Sequence, residues 1–232
     1  MRLDVYLQEK ENITRNKVNE LIKNGEVIVN GKVILKPSLQ VNDNDKIELL
    51  ASFKYVSRAG LKLEDAIISF NIDFNNKVII DVGSSTGGFT DCSLKYGAKL
   101  VYAYDVGTKQ MVESLANDLR VKLFENTNIL DVEKQSGDIL LIDVSFTSLI
   151  PIINHVKDWA KTFIILFKPQ FEVGREYLKK GLIKDEKIIL KKLDEIISKI
   201  EALNIKIIQS KKSDIKGKKG NQEYLLLGVR NA

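Results

Sequence analysis

Residues 81–90 read DVGSSTGGFT, and the fold depends on what that glycine-rich turn joins. Gly83-Ser84-Ser85-Thr86-Gly87 satisfies the G-x-S-x-G pattern of a hydrolase nucleophile elbow, and equally a loose version of a nucleotide-binding glycine loop. The flanks narrow the choice. An apolar run, KVIID, leads into the turn, and FTDCSLKYG leaves it with helical character, so the turn joins a strand to a helix.

Outward from there the texture alternates. Strand-like runs KLVYAYDVG, VKLFEN, GDILLIDVS and TFIILFKPQ are separated by helical segments KQMVESLAND and TSLIPIINHVKDWA, with GLKLEDAIISF before the first strand. Near-continuous Val/Ile/Leu strands between helices predict an α/β fold, a doubly wound and mostly parallel sheet covered on both faces. A helix over 184–203 and the runs IKIIQS and EYLLLGV complete that sheet, the last as an antiparallel partner. Before residue 51 the pattern differs: a short amphipathic segment (Leu3, Val5, Leu7), a helix through RNKVNELIKNG with Thr14 as N-cap and Gly25 at its close, then two β-rich runs about Asn30-Gly31 and a last strand in VNDNDKIELL. Asn-Gly between β-rich runs is a hairpin signal. The expected organisation is a small α+β domain over 1–50, a linker over 51–57 (ASFKYVS), and an α/β domain over 58–232.

Composition excludes several classes. No apolar run approaches the roughly 18 residues of a membrane span, and MRLDVYLQEKEN carries acids where a secretion signal needs an apolar stretch. The expectation is a cytoplasmic protein that does not enter membranes. A single cysteine, Cys92, rules out an internal disulfide framework and a multi-cysteine zinc site, and no metal is expected. Net charge is +5. Residues 1–50 balance eight Lys/Arg against eight Asp/Glu, whereas 176–220 set thirteen Lys against seven acids, so the basic surplus is late. A clustered basic surface is the footprint of a nucleic-acid partner, although a solvated lysine-rich face accounts for any single lysine.

The hydrolase reading has Ser85, Asp143 and the only histidine, His155, in the chain order of α/β-hydrolases. Against it, Ser85 follows the first strand of the sheet with no HGGG-type segment before it, and His155 falls inside the apolar helix pattern of Leu149, Ile152, Ile153 and Val156. In a doubly wound sheet the turn after the first strand is where cofactors bind. The strict G-x-G-x-x-G fingerprint that admits a pyrophosphate is absent, which favours a cofactor without one, and S-adenosylmethionine fits. Asp105 ends the second strand, where a carboxylate can accept hydrogen bonds from both ribose hydroxyls; capping the next helix is its other use.

Four ionisable residues converge on the same crevice: Lys62 on the helix before the first strand, Asp143 ending ILLID, Lys168 ending FIILFK, and Glu223 starting EYLLLGV. Any one of them could mark where an apolar strand reaches water. Together, two lysines interleaved with two carboxylates suit methyl transfer to a hydroxyl, a poor nucleophile until its proton leaves. Methylation of a base amine would favour an N-P-P-Y loop after the fourth strand, where DVSF stands instead.

SRAGLKL, DVGSSTGGFTD, LLIDVSF, LFKPQFE and KGNQEYLL, in that order and with RLDVYL, TRNKVNELIKNGEVIVNG and KPS before them, resemble the TlyA family of bacterial ribosomal-RNA 2′-O-methyltransferases, also called haemolysins. The resemblance implies an S4-type RNA-binding domain followed by a Rossmann-like, FtsJ-type methyltransferase domain. It implies a catalytic set of Lys62, Asp143, Lys168 and Glu223, with Lys168 activating the ribose 2′-hydroxyl. It also implies a cofactor site of Gly83, Ser84, Gly87, Asp105 and Asn128. The implied substrate is cytidine in ribosomal RNA, and the short chain implies the large subunit. The linker lacks the tryptophan-containing tetrapeptide of some longer members. In the small domain Arg15, Lys17 and Lys23 share one helix and form a candidate phosphate-contacting face for ribosomal RNA. The alternatives are an RNA-binding protein without activity and a membrane-active haemolysin; for the second there is no spanning segment and no basic amphipathic helix with aromatic anchors.

Overall fold

The computed structural model describes residues 1–11, 15–23, 25–49, 54–217 and 220–231, without the side chains of Lys17 and Glu20. It divides into two compact units, Met1–Lys54 and Tyr55–Ala232.

In the first unit the amphipathic start is a helix, α1 (Leu3–Glu11), followed by α2 (Arg15–Lys23) and three short strands, β1 (Val27–Val29), β2 (Lys32–Ile34) and β3 (Ile47–Leu49), in the order β2-β1-β3. Leu3 and Leu7 lie four residues apart and so share one helical face; they bury against Val18, Leu21 and Ile22 of α2 and Val27 and Val29 of β1. The Gly25 amide donates to the Ile22 carbonyl (3.0 Å) and that of Glu26 to Leu21 (2.9 Å), the pairing by which a left-handed glycine ends a helix. Asn30 and Gly31 both take positive φ at the hairpin, as its tight turn requires. Thr14, the expected N-cap of α2, and linker residues 51–53 lie outside the described residues.

The second unit opens with α3 (Arg58–Phe70). It then runs through β4 (Val78–Val82), α4 (Gly88–Lys95), β5 (Leu100–Tyr104), α5 (Glu113–Ala116), β6 (Val121–Phe124), β7 (Ile139–Ile142), α6 (Leu149–Val156), β8 (Thr162–Phe167), α7 (Glu186–Glu201), β9 (Ile205–Lys212) and β10 (Tyr224–Arg230). The seven strands lie in the order β6-β5-β4-β7-β8-β10-β9. Pairing is parallel from β6 to β8, and β10 is antiparallel to both β8 and β9, as expected of EYLLLGV.

Side-chain alternation divides the core. Ile80, Val82, Leu140 and Ile142 pack with α6 and α7 on one face, whereas Ile79, Ile139, Leu141 and Ile164 pack with α3 and α4 on the other. The doubly wound architecture follows from strands that are apolar on both sides. One helix is shorter than its pattern: KQMVESLAND predicts 109–118, yet α5 covers Glu113–Ala116 alone. Lys109 takes φ +52° and the Glu125 carboxylate accepts from the Gln110 amide (3.0 Å), so the chain bends there before helix can start.

Leu141 is fully buried in a central strand. We expect Leu141→Ala to lower the unfolding free energy by about 2–5 kcal/mol, read from urea denaturation. A loss below about 1 kcal/mol would mean that the two-faced core is not packed as described.

Candidate active site

The chain leaves β4 toward β5 and β6, then returns to β7 and β8 on its other side. That reversal opens a crevice at the carboxyl ends of β4 and β7, where open α/β sheets bind ligands. The glycine turn sits there. Gly83 takes φ +89°, and a Cβ on it would stand 2.5 Å from the Asp143 backbone oxygen. Its amide and that of Ser84 both donate to the Tyr104 carbonyl, at 2.9 and 3.1 Å. Gly87 (φ +95°) caps α4, and a Cβ there would lie 2.6 Å from Leu115 Cδ1. Both positions favour glycine by their positive φ, and at Gly83 the neighbouring backbone leaves no room for any side chain.

Two buried polar atoms at this turn have no protein partner: Ser84 Oγ, and Oδ1 of Asp81, which is fully buried. Buried polar groups are as a rule hydrogen-bonded, so both fit a polar ligand lying on the turn. Asp81 Oδ2 accepts from the Thr90 hydroxyl at 2.7 Å. Burial pushes its carboxyl up to about 7; the Thr90 bond opposes this, and the charges of Asp143 and Asp105 reinforce it. Sequence reasoning passed over Asp81 because it sits within an apolar strand; the one signal was a carboxylate at a position that alternation makes internal.

Asp105 follows β5. Its Oδ2 accepts from the Ser85 amide (2.8 Å), and its Oδ1 from the Gly107 amide (2.7 Å) and Gln110 Nε2 (3.4 Å). It does not cap a helix, since α5 begins at Glu113. A carboxylate offers about four lone-pair directions, so with three donors in place about one remains for a ribose hydroxyl. Asn128 is exposed beyond β6, and its Oδ1 accepts from the Leu130 amide (3.2 Å) to cap a short 3₁₀ turn. The adjacent Thr127 amide bonds to the Asp105 carbonyl (2.9 Å), which places Asn128 beside the same strand end.

The four ionisable residues form two ion pairs. Lys62 Nζ of α3 lies 2.6 Å from Glu223 Oε2, and both side chains are buried. Lys168 Nζ pairs with Asp143 and donates to Ser145 Oγ at 3.0 Å. Tyr224 faces Phe167 across the β10–β8 ladder, so Glu223 and Lys168, one step beyond, leave it at the same end. Gly217 closes on the pair from the other side, where an added Cβ would lie 2.3 Å from Glu223 Oε1. Beside Asp143 the side chain of Phe146 is 92% exposed at φ +64°, with its ring 4.9 Å from that of Phe171. The sequence signals that aromatic pair only by a phenylalanine closing each of the two strand-exit loops, DVSF and KPQF.

The hydrolase constellation does not assemble. Ser85 Oγ donates to Gln110, Asp143 pairs with Lys168, and His155 Nε2 lies 3.0 Å from the Val132 carbonyl. In the first unit Arg15 donates to Asp4 and Lys23 is exposed, whereas the side chain of Lys17 lies outside the described residues. Among the described residues no group of three or more His, Cys, Asp or Glu could hold a metal ion, and no helix is long and apolar enough to cross a membrane.

Strand order, the glycine turn at the reversal and the ion pairs beside it define a Rossmann-like methyltransferase. A family model for FtsJ-like methyltransferases matches residues 55–230, and one for the S4 domain matches 1–47. Hemolysin A of Brachyspira hyodysenteriae is 43% identical over 97% of this chain and 98% of its own. The 23S rRNA (cytidine-2′-O)-methyltransferase TlyA of Campylobacter jejuni is 37% identical over all of both chains. A solved candidate hemolysin from Streptococcus thermophilus is 35% identical with a TM-score of 0.79, covering 100% of this chain and 89% of its own. The chain belongs to the TlyA family, with an S4 domain and an FtsJ-like methyltransferase domain.

Asp81 carries a pH signature. Its folded value, about 7, exceeds the 3.8 of an ordinary aspartate, so the folded state holds the extra proton between those limits. The stability this proton provides is full below about 3.8 and is lost as pH rises through about 7. We expect Asp81→Asn, whose amide oxygen still accepts from Thr90, to lessen the fall in melting temperature of the cofactor-free protein between pH 6 and pH 8. An unchanged slope would show that Asp81 is ionised throughout.

Proposed function

We propose that this chain transfers a methyl group from S-adenosylmethionine to the 2′-hydroxyl of a cytidine in ribosomal RNA of the large subunit, working in the cytoplasm. Residues 1–50 hold the RNA and residues 58–232 perform the transfer, with 51–57 as the join. The observation that carries this reading is the juxtaposition, at the sheet's reversal point, of a glycine turn with unpartnered buried polar atoms and the Lys168–Asp143 pair, with Lys62–Glu223 at the same end of the neighbouring β8–β10 ladder. End-to-end similarity to a relative named for 23S rRNA supports the choice of the large subunit.

Gly83 and Gly87 let backbone approach the cofactor, Ser84 and Asp81 face its polar amino-acid end, Asp105 its ribose, and Asn128 its adenine. When bound, S-adenosylmethionine supplies a methyl group already activated by the sulfonium charge. The protein's task is then the hydroxyl. An ammonium has three N–H donors; Lys168 gives one to Ser145 and is ion-paired with Asp143, and a donor remains for the attacking oxygen. Its charge offsets the negative charge that develops on the oxygen as the hydroxyl proton passes to solvent. Asp143 fixes the lysine in that position, while the Lys62–Glu223 pair, buried on the other side, shapes the wall against which the ribose is aligned. Phe146 and Phe171 offer a stacking surface beside Asp143 for a base turned out of its helix.

Three outcomes follow. Lys168→Ala should slow methyl transfer by about 10²–10⁴-fold yet leave S-adenosylmethionine affinity, measured calorimetrically, nearly unchanged; loss of affinity would remove Lys168 from the catalytic role. Phe146→Ala should raise the KM for the RNA substrate by about 5- to 100-fold, the equivalent of one lost base stack, with cofactor affinity intact. Labelled methyl offered to both subunits should enter the large one alone, and label on the small subunit would overturn the choice of substrate.

A further inference from the structure

The first unit carries an arrangement that its core does not need. Asp4, in the first turn of α1, is 1% exposed. Arg2 meets it as a fork, Nε to Oδ1 at 2.9 Å and Nη2 to Oδ2 at 3.0 Å. Arg15, the first residue of α2, sends Nε and Nη2 to Oδ2 at 3.2 and 3.1 Å. The Val5 amide also donates to Oδ1, at 3.1 Å. Arg2 holds the carboxyl below the usual aspartate range, burial opposes it, and Arg15 adds to the lowering, so the group stays charged at neutral pH. The two arginines stay 45% and 53% exposed while their common partner is hidden.

One arginine would satisfy this carboxylate, and α1 is already joined to α2 through Leu3, Leu7, Val18, Leu21 and Ile22. A second guanidinium instead places two cations side by side with about three N–H donors each unspent, since a guanidinium carries five. Arginine forks match phosphate oxygens in pairs, and a side chain already fixed loses less rotamer freedom on binding. The unit as a whole is charge-neutral over residues 1–50, so attraction to RNA must come from local arrangement. We propose that Asp4 is a positioning residue, holding Arg2 and Arg15 as a preset pair that grips neighbouring phosphates of the RNA backbone. The inference rests on the RNA-methylating reading above and adds Arg2 and Asp4 to it.

Positioning and simple charge make opposite predictions. Deleting an acid beside an RNA should tighten binding if only charge counts; if Asp4 positions the arginines, its loss should weaken binding. The test uses the full-length protein with purified large subunits and S-adenosylmethionine. For Asp4→Asn, assayed below its melting temperature, the expected result is a KM for subunits about 5-fold or more higher, with kcat nearly unchanged. Arg2→Lys with Arg15→Lys keeps both charges but loses the forks; it should show the same rise, and adding Asp4→Asn to it should change little further. A KM for Asp4→Asn that is unchanged or lower overturns the proposal. If Asp4→Asn fails to fold, the double-lysine variant decides, and an unchanged KM there overturns it equally. Wild-type protein that methylates no RNA would instead remove the reading on which the proposal rests, and wild-type activity that an acidic peptide inhibits through the same arginines would assign the pair to a protein partner.

Discussion

The backbone of Gly83 lies so close to the carbonyl of Asp143 that no side chain fits between them, and the crevice at the sheet's reversal is arranged around that contact. It fastens the end of β4 to the end of β7, the two strands between which the chain reverses its direction of winding. With a Cβ there, the strand ends would part and the turn through Ser84 and Ser85 would shift. The Ser85 amide would then leave the Asp105 carboxylate that it now meets at 2.8 Å. One missing side chain therefore sets the relative placement of the glycine turn, the acid after β5 and the acid after β7.

Around this contact the charges are arranged for positioning more than for stability. Buried ion pairs recover little net free energy, because desolvating both partners offsets their attraction, whereas removing one partner strands the other. The buried Lys62–Glu223 pair and the half-buried Lys168–Asp143 pair are thus weak contributors to folding, but they fix two ammonium groups at one end of the β8–β10 ladder. Asp81 illustrates the opposite arrangement, a carboxylate with an unpartnered oxygen whose charge is disfavoured until something cationic or hydrogen-bonding meets it. Such local frustration is expected at sites that a ligand completes.

Much of this was legible in the residues. Fully buried parallel strands must be apolar on both faces, so VIIDV, ILLI and TFIILF announce themselves, and the last two are followed at once by a charged residue at the crevice, Asp143 and Lys168. The Asn30-Gly31 hairpin and the antiparallel last strand were readable for equally local reasons. What escaped depends on distant partners or on backbone detail. Asp81 counts as one more strand residue until its depth is known. The exposure of Phe146 follows from a positive φ that no propensity forecasts. Leu3, Val5 and Leu7 suggest alternation, and only packing of Leu3 and Leu7 against α2 shows a helix. The shortening of α5 comes from Glu125, fifteen residues from the Gln110 amide that it holds.

The central claim is that the crevice at the ends of β4, β5, β7 and β8 holds S-adenosylmethionine with its reactive end toward Lys168. A crystal structure of the protein with S-adenosylhomocysteine tests it most directly. The account predicts the ribose on Asp105, the amino-acid end at Ser84 and Asp81, and the sulfur facing the Lys168–Asp143 pair. A cofactor bound elsewhere, or in this crevice with its sulfur turned away from Lys168, would contradict it.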